Sequence, residues 1–493
     1  MITRLHTPQA AATWLQRSVS GALCTDSRKV SMGDGFIAWP GAATDGRAFV
    51  TQALEAGAVA CLVEETGIDA FDFVDSRIAC YPGLKSAAGA IAAACFDQPS
   101  KQLEVFAVTG TNGKTSTIWW LAQALSRSGR RCGLVGTLGI GEPDAMVPNG
   151  LTTPDPVLLQ EQLRSFVDQG FSACALEASS IGIAEHRLDA TQVAVAIFTN
   201  FTHDHLDYHG SMQAYWEAKK SLFAFVGLRA AVVNIDDPKG ADLALSLQNG
   251  HLDLWTVSIH QSARLTASNI VQGNTGLSFD VVAGTESYQV AVQTAGHYNV
   301  SNLLGVMAAM CAAGVPLKDA AFACNGLRSV PGRLEMLSTA HLPLVAVDYA
   351  HTPDALEKVL ISLRPVAASR GGNLWCVFGC GGNRDDLKRP VMGGVAQNHA
   401  DHIVVTSDNP RDENPDAIIE QIVAGLDKRR EFHTEADRAA AVAWALAAAA
   451  PVDVVLLAGK GHESYQEIRG VKYPFSDLAV ARHALRQRAG VAS

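Results

Sequence analysis

The run "LEVFAVTGTNGKTSTIWWLAQALSRSG" (103–129) constrains the fold more than any other stretch of the chain. An apolar strand ends in a glycine turn, and a segment with helical spacing follows, which is the order of one βα unit. Strand-like runs recur behind it at "RCGLVGT", "FSACALE", "VAVAIFTN" and "RAAVVN", with helical patterns between several of them. Alternation of this kind implies a largely parallel sheet covered by helices. Before it stand the shorter runs "GFIAW", "AVACLVE" and "SRIACY"; after it come "LVAVDYA", "NLWCVFG", "HIVVTS" and "VDVVLLAG". At 493 residues the chain exceeds a single core. The expected division is into three α/β units at 1–98, 99–334 and 335–493, with the polar "FDQPSKQLE" at the first boundary and "SVPGRLEM" at the second. Clefts between such units make domain closure an expectation.

Composition narrows the function. Hydrophobic residues at 48% and charged ones at 18% describe an ordinary globular chain. A net charge of −10 argues against a general nucleic-acid binder, yet leaves room for anions held by a few local groups. Ten cysteines are scattered without a CxxC pair; the closest two, Cys376 and Cys380, lie in the strand-like "CVFGC". They read as reduced thiols. The first twenty residues lack the apolar core of a signal peptide, and no apolar run is long enough for a convincing membrane span. A cytoplasmic protein without membrane insertion is expected.

"VTGTNGKTST" (108–117) is the strongest local signal. Gly110 and Gly113 let the backbone curl so that amide hydrogens of Thr111 and Asn112 face phosphate oxygens. Lys114 neutralises phosphate charge, and Thr115 can reach Mg²⁺. Only GxxGKT of the usual GxxxxGK[ST] spacing is literal, because position 108 is valine. Glu177 ends the strand-like "SACALE", and the loop "FTNFTHDHLDYHG" supplies His203, Asp204, His205 and Asp207. A histidine-rich loop suits zinc, but beside a triphosphate Mg²⁺ is the expected cation. In "SMQAYWEAKKSLFAFV" (211–226), taken as one helix, Lys219 shares a face with Met212, Tyr215 and Phe223. A lysine there is either snorkelling, or paired, neutralised or modified.

"TSDNPRDENP" (406–415) joins an apolar strand to a helix capped by Asn414 with Pro415 at its first position. Asp408, Asn409, Pro410 and Arg411 therefore occupy a strand-to-helix loop, where α/β sheets bind ligands. An arginine there grips a carboxylate, or makes a surface salt bridge to Asp412 or Glu413 worth ~0–1 kcal/mol.

Together with "DSR" (26–28), "LTTPDP", "EASSIGIAEHR", "HYNVSNLLG", "VDYAHTPDALEKVL", "FGCGGNRD" and "AGKGHE", these motifs resemble the Mur ligase family over almost the whole chain. The resemblance implies an N-terminal uridine-nucleotide domain, a central P-loop ATPase domain and a C-terminal Rossmann-like domain that brings an amino acid. It implies ATP, Mg²⁺ and a CO₂-derived carbamate on Lys219, with Thr115, Glu177, His205 and Lys219 around the metal. Lys114 would stabilise the transferring phosphoryl group. Asn299, Asn302, Arg333 and Asp348 match nucleotide positions. Thr25, Ser27, Thr152, Thr153, Ser179, Glu185 and Arg187 match positions for UDP-N-acetylmuramoyl-L-alanyl-D-glutamate.

The DNPR sequence resembles members that add meso-2,6-diaminopimelate, not L-lysine. Arg411, with Arg384, would hold its carboxylates; Asp408, Asn409 and Glu463 would take an ammonium, and Gly459 would allow close approach. Departures are Glu185 for an expected glutamine, Ile181 for histidine or glutamine, and Ala42 and Ala43 for polar residues. A monomer is expected. The rival expectations are a folylpolyglutamate synthase, a lysine-adding Mur ligase, and a nucleotide switch that hydrolyses ATP without forming a bond.

Overall fold

The computed structural model describes residues 2–41, 44–273 and 276–490. Three separate sheets account for the segments read as three α/β units. The first has five parallel strands, with Gly35–Ala38, Ala60–Glu64 and Ile78–Tyr81 as its centre and the two-residue strands Leu23–Cys24 and Thr3–Arg4 at its edges.

The second sheet has eleven strands. Its central strand Glu104–Thr109 pairs in parallel with Ala173–Glu177 on one side and Val195–Phe198 on the other. The connection leaving the central strand runs to Cys132–Gly136 on one side, whereas that leaving Val195–Phe198 runs to Ala230–Asn234 on the other, so a crevice opens at the carboxyl ends of these two strands. Val105, Phe106, Ala107 and Val108 are all buried, as both faces of a parallel sheet require. The helix Lys114–Arg127 begins in that crevice and packs Ile118, Leu121 and Leu125 into the core.

At one end the sheet continues as an antiparallel meander, Leu265–Gly273, Gly276–Ala283 and Glu286–Val292, which the sequence reading did not anticipate. Leu277, Phe279 and Val281 are buried in alternation. This is the period-2 pattern of strands with one wet face, not the continuous apolar run of the parallel strands. At the other end Gly139–Glu142 and Ala145–Val147 add two short antiparallel strands.

In the third sheet, four neighbouring parallel strands run Leu344–Asp348, Val454–Ala458, Leu374–Phe378 and His402–Thr406. The register aligns Asp348 with Ala458 and Ala458 with Phe378. The loops that leave these strands therefore gather along one edge, which explains how four distant motifs become neighbours.

One expected element is shorter than predicted. The helix drawn over 211–226 is an α-helix only over Met212–Lys220, and a 3₁₀ turn covers Ser221–Ala224. Tighter winding lets Leu222 and Phe223 both reach the core. The Asn414 cap is as expected: its side chain accepts from the amide of Asp416, and Pro415 opens the helix Pro415–Val423. No described helix is long and apolar enough to cross a membrane.

Candidate active site

The phosphate-type loop is built by exclusion of side chains. Gly110 has φ +147°, and a Cβ there would lie 1.9 Å from the Thr199 hydroxyl. Gly113 has φ +86°, and a Cβ there would meet Asn302 Oδ1 at 2.6 Å. Neither position admits a side chain without displacing the loop. Lys114 Nζ donates to the carbonyls of Gly110 and Thr111, both at 2.9 Å. Burial lowers the affinity of Lys114 for its proton, opposed by Glu177 and Asp204. The Thr115 hydroxyl donates to Glu177 Oε1 at 3.0 Å, and the same oxygen accepts from the amide of Thr137 at 2.8 Å.

Lys219 is 1% exposed, so it does not snorkel. Its Nζ donates to the Gly110 carbonyl at 2.8 Å and lies 4.4 Å from the centroid of the Tyr215 ring. No described carboxylate lies within ion-pair distance of it. Desolvation, and then the Lys114 ammonium, push its pKa well below the usual lysine value, with Asp204 opposing. His205 follows the strand Val195–Phe198 in a left-handed conformation, φ +52°. Partial withdrawal from water, with Lys114 and Lys219, lowers its pKa against the pull of Asp204. Its Nε2 is 3.5 Å from Asp204 Oδ2.

The donor set fits a hard cation in part. A hydroxyl, a carboxylate and a depressed imidazole are suitable ligands, and Thr115 and Glu177 are already in contact. Among the described residues, no three His, Cys, Asp or Glu side chains converge as a cage. The protein thus offers an incomplete shell of the kind Mg²⁺ takes when phosphates complete it.

Most of these groups, but not Lys219, line a cleft of about 260 Å³, to which residues at the end of a strand of the third sheet also contribute. Asn112, Lys114, Thr115, Thr152, Glu177, His205, Asn299, Asn302, Arg333 and Asp348 all border it. Asn299 donates to the Thr294 hydroxyl and the Ala295 carbonyl, while Asn302 donates to Asn299 Oδ1 at 3.1 Å. Arg333 lies over the Tyr349 ring at 4.5 Å. Asp348 accepts from the amides of Leu334 and Ala350; burial raises its pKa against the pull of Arg333 and those amides.

Sequence reasoning missed Asp354, whose carboxylate accepts from Asn112 at 3.2 Å and from Lys358 at 2.9 Å. It ties the helix Pro353–Arg370 to the glycine loop. The signal was Asp at the second position of a helix capped by Thr352, within the quoted "HTPDAL".

The residues expected to contact the muramoyl peptide form a partial network. The Thr153 hydroxyl is 2.7 Å from the Glu177 carbonyl and 2.9 Å from Ser179 Oγ, and Arg187 donates to the Thr153 carbonyl. Thr152 meets the Thr137 hydroxyl at 3.1 Å. Glu185 pairs with Lys85, on the helix Leu84–Cys95, at 2.7 Å and accepts from Tyr208. Thr25 and Ser27 lie apart from the cleft, at the end of the edge strand Leu23–Cys24. Ala42 and Ala43 lie outside the described residues.

At the third sheet, Arg411 has φ +50° and is bound within its own domain. It donates to the Gly382 carbonyl at 2.8 Å and pairs with Glu467 at 3.4 Å. The alternative of a salt bridge to Asp412 or Glu413 is not observed; Glu413 is taken by the buried Arg389. Asp408 is 8% exposed, and its Oδ2 has no hydrogen-bond partner among the described residues. A Cβ at Gly459, φ +114°, would come within 2.5 Å of that oxygen. Asn409 donates to Glu463 Oε2 at 2.8 Å. Pro410 passes the chain between them, and its carbonyl would block a side chain at Gly382. Arg384 is exposed and makes no hydrogen bond or ion pair among the described residues.

Three family models cover most of the chain: Mur ligase family, catalytic domain, at residues 21–103; Mur ligase middle domain at 108–310; and Mur ligase, glutamate ligase domain, at 332–461. A relative from Acidovorax sp. (strain JS42) is 58% identical, covering 99% of both chains. It is named UDP-N-acetylmuramoyl-L-alanyl-D-glutamate--2,6-diaminopimelate ligase. The chain belongs to the Mur ligase family.

A solved structure bearing that same enzyme name resembles this Mur ligase at 35% identity and a TM-score of 0.67, with 95% of each chain covered. A folylpolyglutamate synthase of Mycobacterium tuberculosis shares the fold at 18% identity and a TM-score of 0.61, over 76% of this chain and 91% of its own. The Mur ligase relatives are ATP-dependent ligases of peptidoglycan precursor synthesis, so this chain is an enzyme of that class.

Proposed function

We propose that this Mur ligase adds meso-2,6-diaminopimelate to the D-glutamyl γ-carboxylate of UDP-N-acetylmuramoyl-L-alanyl-D-glutamate at the expense of ATP. The observation that carries the proposal is that one chain, 58% identical to a relative of that name, holds both a glycine loop closed by Lys114 and a DNPR loop bonded to Glu463. The units 1–98, 99–334 and 335–493 would bind uridine nucleotide, ATP and amino acid respectively. Their division into three sheets is consistent with this.

A carboxylate resists amines because its leaving group would be oxide. In the proposed route the γ-carboxylate attacks the γ-phosphorus of ATP and ADP leaves. The resulting acyl phosphate is attacked by the amine, which loses a proton, and phosphate departs from the tetrahedral intermediate. Lys114 would move from the loop carbonyls to the phosphoryl oxygens, where charge grows in the transition state. Thr115, Glu177, His205 and Lys219 as its carbamate would hold Mg²⁺, which when bound would offset phosphate charge. Burial beside Lys114 disfavours the ammonium form of Lys219, and the neutral amine is the form that adds CO₂.

Diaminopimelate carries an amino-acid head at each end, whereas lysine ends in a lone ammonium. Arg411 would exchange the Gly382 carbonyl and Glu467 for the distal carboxylate, and Arg384 would take the proximal one. Asp408 Oδ2, buried without a hydrogen-bond partner, would accept from the distal ammonium, alongside Glu463. Losing one such partner in a dry pocket costs ~2–5 kcal/mol, which discriminates by orders of magnitude.

The test is phosphate release from ATP with the UDP-dipeptide and a panel of amino acids. Release should depend on diaminopimelate, and Arg411→Ala should raise its KM far more than that of ATP. Equal rates with lysine, or release independent of any amino acid, would refute the assignment.

A further inference from the structure

We propose that Lys460 is the positioning residue for the amino-acid site. It is 0% exposed, and it follows Gly459 at the end of the strand Val454–Ala458. Its Nζ donates to Asn409 Oδ1 and Glu463 Oε2, each at 2.9 Å. Asn409 in turn donates its amide to the same Glu463 oxygen at 2.8 Å, so the three side chains close a ring. Asn409 Oδ1 also accepts from the backbone of Glu467, at 2.9 Å.

From Glu467 the network reaches Arg411 twice. The Glu467 carbonyl accepts from the Arg411 amide at 3.1 Å, and its carboxylate pairs with the Arg411 guanidinium at 3.4 Å. One buried cation thus organises both the anionic and the cationic member of the clamp without touching the cleft. Removing a buried cation's partner is costly, and removing the cation leaves Glu463 and Asn409 held only by their bond to each other and by the Glu467 amide. Glu463 uses Oε2 for both internal bonds, which leaves Oε1 for a ligand's ammonium.

This inference rests on the reading of the DNPR loop as an amino-acid site. Its test compares Lys460→Met and Lys460→Arg with the parent enzyme at full length. Loss of a charge-assisted hydrogen bond predicts that Lys460→Met raises the diaminopimelate KM about 10–100-fold. The KM values for ATP and the UDP-dipeptide should stay within about twofold, and kcat at saturation should fall less than KM rises.

Because Lys460 acts through Glu463, adding Lys460→Met to Glu463→Gln should raise KM by less than about threefold further. An unchanged diaminopimelate KM overturns the proposal, and so does an equal rise in all three KM values. If Lys460→Met does not fold, Lys460→Arg keeps the charge and carries the same requirement, a shift confined to the amino acid. A parent enzyme that prefers another amino acid defeats the diaminopimelate assignment alone; the Lys460 variants are then scored on the KM of the preferred one.

Discussion

Two lysines converge on one carbonyl. Lys114 and Lys219 both donate to the oxygen of Gly110, and the Lys114 ammonium disfavours the charge of Lys219. The sequence placed Lys219 on a largely apolar face by its spacing from Met212, Tyr215 and Phe223, with snorkelling as the alternative. It did not show the Lys114 contact, since the two are 105 positions apart and nothing local encodes their meeting. Lys114→Ala should reduce turnover by at least about 10²–10³-fold, the scale for losing one transition-state donor, while circular dichroism and Tm stay near the parent values. Normal turnover in that variant would contradict its role.

His462 gives a pH prediction at the same scale. Burial, and then the Arg333 guanidinium, lower its pKa from about 6.5 to about 4, and its Nδ1 is buried without a partner among the described residues. Between those values the unfolded chain binds the proton and the folded one does not, so stability rises with pH. This contribution is therefore full above about pH 6.5 and is lost as pH falls toward about 4. Tm of the parent should drop over that window more steeply than Tm of His462→Gln. Parallel curves would contradict the assignment.

At the scale of elements, the legible parts were the buried parallel strands, each of which shows as a continuous apolar run. The missed parts include one end of the second sheet. Leu265–Gly273, Gly276–Ala283 and Glu286–Val292 interleave polar with apolar residues, burying Leu277, Phe279 and Val281 in alternation, and show no long continuous apolar run. The gathering of loops at strand ends followed from the parallel reading, but the order of strands did not, because pairing depends on contacts distant in sequence.

Gly459 tests that gathering. A side chain there must adopt φ +114° and displace Asp408, whose carboxylate oxygen lies 2.5 Å from the added atom. Gly459→Ala should lower stability by about 1–3 kcal/mol from backbone strain and raise the KM for the amino acid, leaving that for ATP unchanged. Unaltered Tm and KM would show that the loop does not require the glycine.

Over the whole molecule, the three-unit plan was visible as three groups of strand runs, and the resemblance assigned each a ligand. The contacts that connect the units were not. Asp354 reaches the glycine loop from the third sheet's first helix, and Lys85 reaches Glu185 from the first unit. Each bond joins surfaces whose sequence reads only as polar.

The account rests on a chemical coupling across these units, in which ATP activates a carboxylate bound by one and an amine delivered by another displaces phosphate. The most direct measurement uses UDP-N-acetylmuramoyl-L-alanyl-D-glutamate labelled with ¹⁸O in both γ-carboxylate oxygens, turned over with ATP and diaminopimelate. Every phosphate released should carry one ¹⁸O, transferred as the bridging oxygen of the acyl phosphate. Phosphate free of label, formed alongside the lengthened peptide, would contradict the account.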